Sequence, residues 1–227
     1  MTDGLTVLVF GASGMVGQGV LRECLLDDRV REVRAVVRAP LGVTDPKLRE
    51  VVGTDLALPG EHLAGVDATF DSVGVSSSGR REPEYRRLTY DLTVGIARAV
   101  ADASPGSAFA YVSGAGTDRD GRLMWARVKG ETEDAVAALP LRTWLLRPGI
   151  IQPLHGVRTK TRLYGVVYAA LRPAFPLLRR VAPDHVTTTE AVGRAFLAAV
   201  TGGASEGVLT TSGINALADE SPGGRRS

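Results

Sequence analysis

The chain has 227 residues, 44% hydrophobic and 23% charged, a balance that fills a packed core and excludes a largely disordered protein. Its formal charge of +2 excludes the strong basic face of a nucleic-acid-binding protein. Its one cysteine, Cys24, excludes an internal disulfide and a zinc knuckle, and His62, His155 and His185 show no metal-ligand spacing, so no metal is expected.

Leu5–Phe10 is a short, nearly all-apolar run, as in a strand buried on both faces of a parallel sheet. No signal-type segment precedes it. Gly11-Ala-Ser-Gly14-Met-Val-Gly17 follows, then a helical pattern through Leu26. Strands are predicted at Val33–Val37, Leu48–Val52 and Ala68–Val73. A long helix runs from about Glu84 to Ala103, where Pro105-Gly106 stops it. A strand at Ala108–Ser113, a helix from about Leu123 to Ala138 and a strand at Thr143–Leu146 come next. A last helix starts near Thr189, with Thr188 or Thr189 as candidate N-cap, and runs to Val200, before a short strand around Val208–Thr210. The polar tail from Asp219 is expected to be frayed.

Alternating strands and helices predict an α/β fold. The expected form is a doubly wound, mostly parallel Rossmann sheet of about seven strands. Residues 1–218 are expected as a single domain, with a small substrate lid at 152–189. The longest uncharged stretch in the apolar C-terminal half, Leu163–Leu171, is far short of the roughly 20 residues that span a membrane. A cytoplasmic location is expected.

Gly11, Gly14 and Gly17 sit where a strand feeds a helix. One glycine permits the tight turn, one the approach of a pyrophosphate, and one the packing of helix on strand. The helix N-terminus, at Met15 and Val16, then offers unpaired N–H groups to phosphate oxygens. Gly19 reads as a packing contact. Arg38 ends the second strand, 21 residues after Gly17, where an acidic residue would bind the ribose 2′-hydroxyl of NAD. A guanidinium there suits the 2′-phosphate of NADP, with Ser13 assisting, and equally describes a solvated strand end. NADP is therefore expected over NAD. Asp55 and Leu56 stand where the adenine would lie, or in an ordinary loop. Gly74 leaves room beside a nicotinamide ribose.

GASGMVG at Gly11, VVR ending at Arg38, DSVG at Asp71, YVSGAGT at Tyr111, ARVKGETE at Ala126 and LRPGII at Leu146 together resemble the short-chain dehydrogenase/reductase superfamily. The nearer likeness is to its atypical, epimerase-like and NmrA-like branches. The chain is also similar to small oxidoreductases related to the Tat-interacting tumour suppressor. More distantly, it resembles flavin/biliverdin reductases. The resemblance implies a catalytic Tyr-x-x-x-Lys pair, placed on one helix face by its spacing. Lys129 holds the lysine position, which matters in a chain where only Lys47, Lys129 and Lys160 are lysines. By the resemblance it binds the nicotinamide ribose. Trp125 stands four residues before it, where the family has tyrosine. An indole N–H donates a hydrogen bond but cannot serve as acid or base. Trp125 is either a core aromatic or a flat wall over the nicotinamide. Ser113 either orients the substrate oxygen or closes its strand. Pro148-Gly149-Ile150 resembles the turn whose backbone meets the carboxamide.

Between Gln152 and Glu190 the basic residues are Arg158, Lys160, Arg162, Arg172, Arg179 and Arg180, against Asp184 alone. With Tyr164, Val166, Val167, Tyr168, Leu171 and Phe175 nearby, this lid suits an anionic or extended apolar substrate. A peripheral membrane contact or a packed helix with snorkelling arginines fits as well. The expected function is NADP(H)-dependent hydride transfer to a small-molecule acceptor. The alternatives are a non-catalytic NADP(H) sensor and an epimerase or dehydratase.

Overall fold

The computed structural model describes residues 4–53, 60–157 and 175–220. β1 (Leu5–Phe10) turns at the glycines into α1 (Met15–Leu26). β2 (Val30–Val37), β3 (Leu48–Val52), the short α2 (Gly60–Leu63) and β4 (Ala68–Asp71) follow. α3 (Glu82–Arg86) passes through a π-helical turn, Arg87–Asp91, into α4 (Leu92–Ala103). β5 (Ala108–Val112), α5 (Met124–Ala137), β6 (Arg142–Arg147) and β7 (Ile150–Gln152) come next. The last elements are α6 (Phe175–Val181), β8 (Val186–Thr188), α7 (Thr189–Ala198), a π turn at Ala199–Gly203, β9 (Gly207–Thr210) and α8 (Thr211–Glu220).

Seven strands form one sheet in the order β3-β2-β1-β4-β5-β6-β9, with every pairing parallel. The order reverses between β1 and β4, which opens a crevice at their carboxyl ends. Strand alternation explains why the apolar runs are continuous. Val7 and Val9 point into a core shared with Val20, Cys24, Val192 and Phe196 of α1 and α7. Leu8 and Phe10 point the other way, into a core shared with Val94, Ala97, Val100 and Val136 of α4 and α5. The fold is thus an α/β Rossmann sheet with helices on both faces.

α1 and α7 cross at glycines. A Cβ on Gly19 would meet the Thr189 carbonyl oxygen at 2.5 Å, and one on Gly193 would meet Glu23 Cγ at 2.8 Å. Gly19 is therefore the packing contact its place in the helix implied. Thr188 caps α7, its Oγ1 accepting the Ala191 N–H at 2.9 Å.

Some expectations need correction. β2 begins at Val30 rather than Val33, and β4 ends at Asp71 rather than Val73. Asp219 and Glu220, expected in a frayed tail, belong instead to α8, which buries Ile214 and Leu217 in the core. β7 and β8 form a separate two-stranded parallel sheet where the segment expected as a lid begins and ends. Of that segment, Arg158, Lys160, Arg162, Tyr164, Val166, Val167, Tyr168, Leu171 and Arg172 lie outside the described residues, as do Asp55 and Leu56. Among the described residues no helix is long and apolar enough to cross a membrane.

Candidate functional site

The carboxyl ends of β1, β4, β5 and β6 gather most of the candidate residues at one edge. Gly11 takes a φ of +79°, and a side chain there would meet Ser72 Oγ at 2.7 Å. The Gly11 carbonyl accepts the Gly14 N–H at 2.8 Å, which closes the turn. A Cβ on Gly17 would fall 2.1 Å from that same carbonyl oxygen, so only glycine lets α1 sit this close to the turn. Gly14 differs: a Cβ there would meet only the Gly11 carbonyl oxygen, at 3.2 Å, and its outer side is open. It is also the N-cap of α1, with no side-chain cap and no acidic residue in the first turn. The first N–H groups, at Met15 and Val16, therefore lack the usual capping oxygen. Ser13 is half-buried, and its carbonyl accepts from Gln18 Nε2 at 3.2 Å.

Strand register pairs Phe10 with Val36, so Arg38 leaves β2 beside the glycine turn, and it is exposed. Gly74, past β4, is exposed, with open space where a side chain would stand.

At the end of β5, Ser113 and Thr117 are buried and their hydroxyls lie 2.7 Å apart. The Ser113 N–H donates to the Leu146 carbonyl at 2.8 Å, which fixes it against β6. Lys129 Nζ donates to the Ser113 carbonyl at 2.8 Å and the Val112 carbonyl at 3.3 Å. It also stands 5.4 Å from the centre of the Tyr111 ring, a favourable place for a cation. Burial brings the Lys129 ammonium down to about 8, against the opposing pull of Asp71 and Glu133. Trp125, one turn earlier, is half-buried and lies against Gly116, whose φ is +84°. Tyr111 is wholly buried, so it does not supply the missing phenol at the edge.

Pro148-Gly149-Ile150 is held from several sides. The Pro148 carbonyl accepts the Ala115 N–H at 2.9 Å, and the Gly149 N–H donates to Thr211 Oγ1 at 2.9 Å. The Ile150 N–H donates to the His185 carbonyl at 2.8 Å, which begins the β7–β8 pairing. The backbone donors of Gly149 and Ile150 are thus engaged within the chain.

Three features went unselected in the sequence. Asp71 ends β4 with no exposed surface, its Oδ1 accepting the Val73 N–H at 2.8 Å. Burial lifts its carboxyl to about 6, partly offset by the Val73 N–H, Thr93 and Lys129. A carboxylate closing an otherwise apolar strand was the available signal. The Arg147–Glu133 pair is bidentate, with Arg147 Nε at 3.0 Å and 3.2 Å from the two oxygens of buried Glu133. Glu133 lies four residues after Lys129 on the same helix face, a legible spacing. Thr117 meets Ser113 through a loop, and no periodicity announces that.

No family model matches the chain. The mitochondrial protein fmp52 of Aspergillus clavatus is 30% identical over 167 residues, 69% of this chain and 69% of that protein. The fmp52 of Aspergillus fumigatus is 30% identical over 168 residues, with the same shares. The fmp52 of Emericella nidulans is 29% identical over 157 residues, 64% of this chain and 66% of its own length, so there the chain spans just under two thirds of its relative. These relatives are named as mitochondrial proteins, which overturns the cytoplasmic expectation.

Among solved structures, MoeE5 in complex with UDP-glucuronic acid and NAD superposes with a TM-score of 0.62 at 23% identity, covering 89% of this chain and 74% of that one. A short chain dehydrogenase from Burkholderia cenocepacia in complex with NADP gives 0.59 at 20% identity, covering 91% and 88%. These likenesses show a shared fold, the α/β Rossmann sheet of these dehydrogenase and epimerase structures.

Proposed function

The chain belongs to the family of the mitochondrial fmp52 proteins, and we propose that it binds NADP(H) at its glycine turn and passes hydride to or from a small-molecule acceptor. The observation that carries this reading is the asymmetry of the three glycines. Gly11 and Gly17 are closed by neighbouring backbone, whereas Gly14 is open and caps a helix whose first N–H groups have no side-chain partner. That cradle has the form and polarity of a pyrophosphate site. Relatives in fold, solved with NAD or NADP, add support.

The residues present fit such a cofactor. The glycine turn would hold the pyrophosphate, Arg38 the 2′-phosphate, and Lys129 the nicotinamide ribose beside Gly74. Bound there, the dinucleotide supplies or accepts a hydride. Ser113, braced by Thr117, orients an acceptor oxygen. Trp125 cannot deliver a proton. Quinone- or flavin-like acceptors suit the site, because water or the acceptor itself then handles the proton. Losing a positioned acid or base lowers a rate by about 10²- to 10⁴-fold, which disfavours ordinary carbonyl reduction.

The same tryptophan supports a second reading, a sensor that binds NADP(H) without turnover. NADPH oxidation followed over a panel of quinones, flavins and carbonyls separates the two. Turnover on a quinone or flavin is expected. Tight NADPH binding without turnover on any acceptor would leave the sensor. For the cofactor choice, Arg38→Ala is expected to weaken NADPH at least tenfold and leave NADH unchanged. An unchanged ratio refutes Arg38 as the 2′-phosphate ligand.

A further inference from the structure

Five buried polar groups crowd the layer between the sheet and helices α3 to α5. Thr69 Oγ1, Asp71 Oδ2, Thr89 Oγ1, Thr93 Oγ1 and Tyr111 Oη have no well-formed hydrogen bond among the described residues. Unsatisfied buried groups are rare, and a local concentration of them calls for a reason. The register explains their meeting. Asp71 pairs directly with Tyr111 across β4 and β5, so both side chains leave the same face of the sheet. Lys129 approaches that face from α5, with its ammonium over the Tyr111 ring.

Lys129 needs a counter-charge. Its hydrogen bonds go to two neutral carbonyls, of Val112 and Ser113, and a half-buried ammonium held only by carbonyls is poorly compensated. The groups acting on it are the carboxylates of Asp71 and Glu133. Glu133 is already taken up by Arg147 in a bidentate pair. Asp71 has no charged partner of that kind: Oδ1 takes the Val73 N–H, and Oδ2 has no well-formed hydrogen bond, with the Thr93 hydroxyl as its polar neighbour. Tyr111, with its hydroxyl raised well above the usual range chiefly by burial, adds no charge near neutrality, and Tyr85 is raised by burial as well.

We propose that Asp71 is the positioning residue for Lys129, its buried carboxylate keeping the ammonium charged and aimed at the β5 edge. The proposal rests on the reading of Lys129 as the ribose-binding residue. Asp71 does not touch cofactor or substrate; it acts through the lysine.

The scarcity of lysine makes the test direct. Lysine labelled with ¹³C at Cε gives signals from Lys47, Lys129 and Lys160 alone, and Lys129→Arg identifies the one in question. In the wild type, the Lys129 signal is expected to show its own titration, together with a smaller inflection near pH 6 as Asp71 gains its proton. In Asp71→Asn the smaller inflection should vanish and the lysine titration should move down by roughly one pH unit or more, as for loss of a neighbouring opposite charge. NADPH affinity measured across pH should follow: the variant loses affinity at lower pH than the wild type does. A uniform loss at every pH, or an unshifted lysine titration, overturns the proposal. If the variant does not fold, the wild-type signal decides, and absence of the inflection near pH 6 overturns it. A coupled titration in a protein that binds no NADPH keeps the Asp71–Lys129 pair and removes the cofactor reading instead.

Discussion

Alanine at Gly14 and alanine at Gly17 should separate cofactor binding from folding. At Gly17 the new methyl would meet the Gly11 carbonyl oxygen at 2.1 Å, its carbon at 2.6 Å and Ala12 Cα at 2.9 Å. All three are backbone atoms, so no side chain can swing away and α1 must shift from the turn. Overpacking of this kind costs about 1–3 kcal/mol or more. For a chain of this size each kcal/mol lowers Tm by about 2–4 °C, so a fall of about 6–12 °C is expected at the upper end. At Gly14 the methyl meets one atom, at 3.2 Å, and the backbone there has a φ of −81°, open to any residue. Replacing glycine at such a position stabilises by about 0.4–1 kcal/mol. That gain is offset by alanine's poorer fit at a helix N-cap and by the 3.2 Å contact, so Gly14→Ala should melt close to the wild-type temperature. Its methyl nevertheless occupies the open side of the cradle, and NADPH affinity should fall tenfold or more, about 1.4 kcal/mol. Calorimetric melting and NADPH titration of both variants read the two effects separately. Wild-type affinity in a well-folded Gly14→Ala would refute the cradle. A wild-type Tm in Gly17→Ala would refute the packing argument.

The Glu133–Arg147 pair should be needed for stability: Arg147→Ala leaves a buried carboxylate unpaired and should cost about 3–5 kcal/mol, read by urea denaturation. A change below about 1 kcal/mol would mean that Glu133 is solvated after all. Where α1 crosses α7, Gly19→Ala meets the Thr189 carbonyl oxygen at 2.5 Å, whereas Gly193→Ala meets Glu23 Cγ at 2.8 Å and the Val20 Cα at 3.1 Å, so the tighter backbone clash of the first should lower Tm more than the second. Equal losses would contradict that ordering. Asp71 gives a pH signature. Its folded carboxyl, at about 6, lies above its ordinary 3.8, so the folded state binds the extra proton. Stability is then lost as pH rises between those values, by up to about 3 kcal/mol from this group. Denaturation at pH 4 and pH 7 should show that loss in the wild type relative to Asp71→Asn; parallel profiles would rule it out.

Much of the frame was legible because both faces of the sheet are covered. Val7 and Val9 serve one core and Leu8 and Phe10 the other, so the strand is apolar throughout and stands out from the amphipathic helices. The glycine turn was legible because its constraints are local, lying within Gly11–Gly17. What escaped notice depends on distant partners. β7 and β8 are three-residue strands that pair across an intervening segment, too short to show a period. Residues Thr211–Glu220 show a helical stripe only once Ile214 and Leu217 are known to face the core. Asp71 acquires meaning from Tyr111 and Lys129, which strand order brings beside it and sequence spacing does not. Trp125 was visible at once, being a substitution inside a recognisable pattern.

Calorimetric titration of the purified chain with NADPH is the most direct measurement of whether the glycine turn is a dinucleotide site. One saturable site per chain is expected, lost in Gly14→Ala while that variant melts normally. An absence of saturable binding in the folded wild type, or undiminished binding in the variant, would contradict it.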